Sequence, residues 1–110
     1  MTRPLREPSY FVLAALIDGP LHGYAILKRV EELSGAQLRM STGTLYGALE
    51  RLSAEGLLTP GAEEVVEGRP RRAYSLTALG LTTVLAEAER LAAAASVVTT
   101  RTAVIRARLA

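Results

Sequence analysis

Cysteine is absent from the chain. That excludes disulfides, thiolate zinc sites and cysteine nucleophiles, and it fits a reducing interior. His22 is the only histidine and Asp18 the only aspartate. A lone histidine builds neither an ordinary zinc site nor a Ser-His-Asp set. Few groups remain for acid–base or nucleophilic work, and no glycine-rich phosphate loop is present. The sequence therefore reads as a non-enzyme with no catalytic residues, no metal and no cofactor, and His22 reads as structural, at a helix entrance. Long hydrophobic runs are missing too. Tyr10–Ile17 is too short to span a bilayer, and no convincing small-residue cleavage site follows it. No membrane segment or secretion signal is read, and the expected location is cytoplasmic. Charge is nearly balanced, with a formal net of +2, so the sequence pI of about 9.4 points only weakly to nucleic acid. Its distribution says more: three of residues 69–72 are arginine, and the last ten residues hold Arg101, Arg106 and Arg108 and no acid.

What is present is enough to fold. The chain has 110 residues, 49% of them apolar, which suits one domain with a modest core. Its organising stretch is Met40–Leu58. Ser41 and Thr42 are residue types that cap helix N-termini, Leu45, Leu49 and Leu52 follow at helical spacing, and Gly56 is a stop. The opposite face carries Thr42, Gly43, Tyr46, Gly47 and Glu50. Each glycine costs about 1 kcal/mol of helix stability relative to alanine; close approach of DNA or tight packing on a neighbouring helix would explain them. Residues 57–76 then read as two strands around a Gly68-Arg69-Pro70-Arg71-Arg72 turn, with Pro60-Gly61 breaking or bulging the first strand. A short hydroxyl-rich helix followed by a hairpin with a basic tip suggests a winged helix-turn-helix, mainly α with a small β-hairpin. Two readings of the tip stay open: the arginines meet phosphates, or Glu63, Glu64 and Glu67 neutralise them across the hairpin.

Around this stretch the chain reads in order. Residues 1–8, with Arg3 and Arg6, form a loose basic arm. Ser9 is the expected N-cap of a first helix over residues 8–18, apolar nearly all round, which calls for cover from more than its own chain. Leu21-His22-Gly23-Tyr24 comes next, then a second helix to about Ser34 with Ile26, Leu27, Val30 and Leu33 as its stripe and Gly35 as its stop. Tyr24 either bonds a phosphate or lies half-buried against the third helix. Thr77 caps a last helix reaching Ala110, about 50 Å long. Val84, Ala88, Leu91, Ala95, Val98, Thr102, Ile105 and Leu109 alternate steps of four and three, the spacing of a coiled coil. That predicts a partner helix, most simply from an identical chain; the alternatives are a helix folded back on its own domain or fraying around Val97–Thr100. The expected division is residues 1–76 as a DNA-binding winged helix-turn-helix and 77–110 as a C-terminal dimerisation helix. Phe11, Val84, Ala88, Leu91, Ala95, Val98 and Ile105 are the expected dimer contacts.

Leu21-His22-Gly23-Tyr24, Ser41-Thr42-Gly43-Thr44-Leu45-Tyr46, Leu49 to Leu57, and Gly68 through Tyr74-Ser75-Leu76-Thr77-Ala78-Leu79-Gly80 together resemble the PadR family of transcriptional regulators, over residues 9–80 and in its short branch. The resemblance implies a homodimer, often a repressor, whose winged helices bind a pseudo-palindromic double-stranded operator. It also implies release by a small effector, often aromatic or drug-like, or control through protein level. Family DNA contacts carried onto matching positions fall on Ser41, Thr42, Thr44, Tyr46, Arg69, Arg71 and Arg72, to which the reading of residues adds Tyr24 and Gly43. Two departures stand out. Gly47 occupies a position where many members have proline. No aromatic follows Tyr74, whereas relatives that stack planar ligands use an aromatic on the last helix; Tyr10 and Phe11 remain as candidates and read first as core or dimer interface. The rival reading is a winged-helix module that binds a protein or a small molecule and has no role on DNA.

Overall fold

A computed structural model describes residues 4–110; Arg3 of the expected basic arm lies outside them. The described residues form α1 (Glu7–Ala15), β1 (Leu21–His22), α2 (Gly23–Leu33), α3 (Thr42–Ala54), β2 (Leu58–Val66), β3 (Arg69–Leu76) and α4 (Ala78–Leu109). The architecture is mainly helical with a small antiparallel sheet, a winged helix-turn-helix followed by a long C-terminal helix. The sheet has three strands in the order β1-β3-β2, one more than the hairpin the sequence suggests. Leu21 pairs with Tyr74 and His22 with Ala73. Two residues are too short to show an alternating pattern, so β1 is visible only once β3 is in place.

The core sits where the three small helices meet the sheet and the start of α4. Val12, Leu13 and Leu16 from the α1 segment, Ile26 and Val30 of α2, and Leu45, Leu49 and Leu52 of α3 close on one another, with Leu57, Leu58 and Val84 completing the cluster. Each fully buried aliphatic side chain stabilises the fold by about 1.5–3 kcal/mol. Tyr74 and Leu76 pack on the rim of this cluster, on one face of β3 as their alternation requires.

Several local expectations change. Ser9 is not the cap of α1: Arg6 holds that position without a side-chain bond. Ser9 is buried, and its hydroxyl accepts a hydrogen bond from Arg51 Nη2 at 3.0 Å. The helix instead begins on Glu7 and Pro8, a start that suits both the helix dipole and proline geometry. It ends at Ala15 rather than Asp18. Asp18 turns outward to pair with Arg29 at 3.3 Å. The wing turn is Glu67-Gly68, with φ of 52° and 77°, the pair of left-handed residues that a tight hairpin needs. Arg69, Pro70, Arg71 and Arg72 therefore lie in β3, not in the turn. The Pro60-Gly61 irregularity is real: the β2–β3 register shifts between Pro60 and Glu63.

α4 starts as read. Thr77 Oγ1 accepts from Gly80 N at 2.9 Å and donates to Gly56 O at 2.7 Å, tying the end of α3 to the start of α4. Its first turns belong to the body of the protein. Gly80, Val84 and Glu87 are buried. Glu87 accepts from the Leu5 backbone N–H at 2.9 Å and pairs with Arg90. Val84 is 3% exposed and is taken up by its own core, which leaves it no surface to offer a second copy, contrary to the expected dimer contact. From Leu91 to Ala110 every residue except Thr102 is exposed, so the helix neither folds back nor frays at Val97–Thr100. It gives the molecule a long axis of 62 Å.

Candidate nucleic-acid interface

α3 is built to bury one side and expose the other. Its buried residues are Leu45, Ala48, Leu49 and Leu52. Ser41, Thr42, Gly43, Thr44, Tyr46, Gly47 and Glu50 are exposed. Ser41 is the N-cap: its Oγ accepts from Thr44 N at 3.1 Å and lies 2.9 Å from Thr44 Oγ1, to which it donates. The exposed helix start therefore offers hydroxyls and the positive end of the helix dipole, the combination that receives phosphate oxygens. A Cβ built on Gly43 or Gly47 meets nothing within 4 Å. Packing within this chain does not explain either glycine.

Tyr46 is 46% exposed. It leans over the start of α2, where a Cβ on Gly23 would lie 2.5 Å from its Oη and 2.9 Å from its Cζ. Tyr24, the next residue, is 63% exposed, which removes the half-buried alternative for it. β1 carries the chain into α2 beside β3. Tyr74 on β3 lies close enough to feel Tyr46: burial first, then the Tyr46 hydroxyl, pushes its phenol above the usual tyrosine range, against a weaker pull from Arg72. His22, in β1, has a buried Nε2 without a hydrogen-bond partner.

The wing supplies the cations. Side chains alternate along β3, so Arg69 and Arg71 lie on one face and Arg72 on the other, the face of Tyr74. Arg71 stands opposite Glu64 and Arg72 opposite Glu63. Among the described residues the ion pairs are Arg29–Asp18, Arg39–Glu31 and Arg90–Glu87. None includes a wing arginine. The structure thus brings Tyr46 of α3 against Gly23 at the start of α2 and near Tyr74 of β3, with Tyr24 exposed next to Gly23.

The expected dimer residues separate. Phe11 is partly buried against the core, its ring edge-on to Tyr10 at 5.4 Å. Ala88 is partly buried, and Leu91, Ala95, Val98 and Ile105 are exposed along α4. A shallow apolar concavity between the end of α1 and the start of α4 is lined by Leu16, Ile17, Pro20, Leu76, Ala78 and Leu81. The sequence marks Gly23 only as part of the Leu21-His22-Gly23-Tyr24 motif and gives no role to Arg51 or Glu87, because their partners come from distant segments. A glycine at a helix start is the one available signal.

Two helices in a helix-turn-helix arrangement, the second exposed and followed by a wing, define a winged helix-turn-helix protein. The chain belongs to the PadR-like family of transcriptional regulators, whose profile matches residues 12–86. It is similar to an uncharacterised protein in a Streptomyces fradiae transposon, 47% identical over 86 residues that cover 78% of this chain and 23% of that protein. It is also similar to a transcriptional regulator of Mycobacterium tuberculosis, 42% identical over 69 residues, or 63% of this chain and 61% of the relative. The chain therefore spans less than two thirds of either relative. Among solved structures, Bacillus subtilis PadR in complex with operator DNA matches with a TM-score of 0.63 and 26% identity, covering 72% of this chain and 45% of that one. Among the described residues no helix is long and apolar enough to cross a membrane.

Proposed function

We propose that this regulator is a homodimeric, sequence-specific DNA-binding repressor that works in the cytoplasm on a pseudo-palindromic operator. Two copies of α3 enter successive major grooves about 34 Å apart. The observation that carries the reading is the exposed start of α3, with two glycines that its own fold does not use, together with wing arginines that hold no ion pair among the described residues. The operator complex of the Bacillus subtilis relative supports a DNA partner. In this reading Arg69, Arg71, Arg72, Tyr24 and the Ser41 hydroxyl meet phosphates and position the protein. Thr42, Thr44 and Tyr46 reach base edges, and Gly43 lets the backbone come close. No arginine stands at the start of α3, so discrimination leans on DNA shape. Exposed Leu91, Ala95, Val98 and Ile105, with Phe11 and Ala88 at the inner end, meet their counterparts in a second copy. A small apolar or aromatic effector relieves repression.

The test is a salt titration of binding to the DNA upstream of the gene, against random DNA of equal length. Selective binding that weakens linearly in log salt is the expected result, and its slope counts the phosphates neutralised. The rival reading, a winged module for a protein or small molecule, draws on Glu63 and Glu64 standing opposite Arg72 and Arg71. Absence of DNA binding at low salt would select it.

A further inference from the structure

Gly23 has no backbone reason to be glycine. It is the first residue of α2 and is not among the residues of positive φ, and glycine is a poor helix former. Its neighbours give the reason. It is buried, and the space where a Cβ would stand is filled by the phenol of Tyr46, Oη at 2.5 Å and Cζ at 2.9 Å from that point. These separations are too short for any side chain at position 23 to coexist with Tyr46 where it lies. We infer that Gly23 is a positioning residue for DNA recognition: it seats the Tyr46 side chain against α2 and thereby sets what the reading face of α3 presents.

The direction of the effect follows from which atoms collide. The obstruction is the far end of a flexible side chain, not backbone. A methyl group at position 23 therefore moves the tyrosine and leaves the helices in place. Tyr46 belongs to the exposed face of α3 with Thr42, Gly43 and Gly47, so the displaced ring swings out over the two glycines whose surroundings are open. That is the volume a DNA backbone would occupy. Tyr74, near Tyr46 on β3 and itself partly buried, narrows the room the ring has on the protein side. The effect of Gly23→Ala is thus steric crowding of the interface by the protein's own tyrosine.

The inference rests on the DNA-binding reading for its consequence but not for its geometry, and the experiment separates the two. The full chain is labelled with 3-fluorotyrosine, and the Tyr46 fluorine signal is assigned by its loss in Tyr46→Phe. Gly23→Ala should move that signal toward the free-tyrosine position while the urea midpoint changes little. In parallel, operator affinity should fall roughly tenfold or more, within the range of coupling between touching residues, and binding to random DNA should change far less. In the Tyr46→Ala background, Gly23→Ala should have no further effect on operator affinity. If Gly23→Ala alone folds poorly, recovery of the fold in the double variant shows the same clash. An unmoved fluorine signal, or losses that simply add in the double variant, would overturn the inference. A moved signal in a protein that binds no DNA would leave the seat standing and remove the DNA-binding reading.

Discussion

Gly47 and Gly80 sit in helices, and one residue type does opposite work in them. Around Gly47 a Cβ finds no atom within 4 Å, whereas at Gly80 it would stand 2.1 Å from Leu57 O and 2.8 Å from Leu76 Cδ1. Gly80 is thus where α4 presses on the chain leaving α3, and backbone cannot move aside as a side chain can. Gly80→Ala should destabilise the protein by about 2–3 kcal/mol, the scale of overpacking a filled core, seen as a lower urea midpoint. Gly47→Ala should do the reverse, stabilising by about 1 kcal/mol through helix propensity alone, a rise of roughly 4–8 °C in melting temperature for a domain of this size. If α3 lies against DNA, the same substitution weakens operator binding, so stability and affinity move in opposite directions. A variant that gains stability and keeps full affinity would show that Gly47 faces nothing.

At the scale of elements, the wing and the N-terminal arm each carry a charge argument. Arg71 and Arg72 face opposite sides of β3, so one DNA strand cannot take both in the same way. Arg71→Ala with Arg72→Ala should weaken binding to all sequences and lower the magnitude of the salt slope by about 1 to 2, one for each phosphate no longer neutralised. An unchanged affinity and slope would place the wing away from DNA, with Glu63 and Glu64 as the arginines' partners. The arm hangs on Glu87, whose carboxyl is held below the usual carboxylate range chiefly by its hydrogen bond from Arg90, with the Leu5 N–H adding to it and burial opposing. A carboxyl so depressed contributes stability that is present above its unfolded pKa and lost as pH falls through its lower folded value. The Leu5 amide signal in a nitrogen–proton spectrum should therefore titrate with a midpoint below the ordinary glutamate range, and Glu87→Gln should abolish that titration. The elements themselves are legible in the sequence to different degrees. α2, α3 and α4 announce themselves by apolar spacing, by Ser41 and Thr77 as caps, and by Gly35 and Gly56 as stops. The start of α1 misleads because Ser9 looks like a cap, yet spends its hydroxyl on Arg51, 42 residues away. β1 escapes notice because its two residues gain meaning only from β3. The candidate DNA-facing residues of α3 are readable as a group, since they share the polar side of one helix. The Gly23–Tyr46 contact is not, because it joins two segments that no local pattern connects.

The whole molecule poses a problem of cover. A body with a closed core extends a helix whose outer half is exposed along its length, with Val98 60% and Ile105 55% exposed. The spacing of Leu91, Ala95, Val98, Thr102 and Ile105 continues the steps of four and three that keep one seam facing one partner, and the short side chain at Ala95 permits close approach. Burying such a seam against a second copy removes apolar surface at about 25 cal/mol per Å². The gain is partly offset by bringing together Arg101, Arg106 and Arg108 of both copies, which have no acid nearby in sequence to answer them. Val98→Glu with Ile105→Glu should therefore yield a monomer by sedimentation. The helical signal and urea midpoint of the winged body should stay close to those of the parent protein measured as a monomer, because neither side chain contributes to the core. Operator binding should collapse toward the level of random DNA, since a lone copy engages one half-site and forfeits the effective concentration that links two. A double variant that remains dimeric would move the interface to α1 and the inner turns of α4, around Phe11 and Ala88. One that is monomeric and still binds the operator at full strength would show that recognition needs one copy of α3.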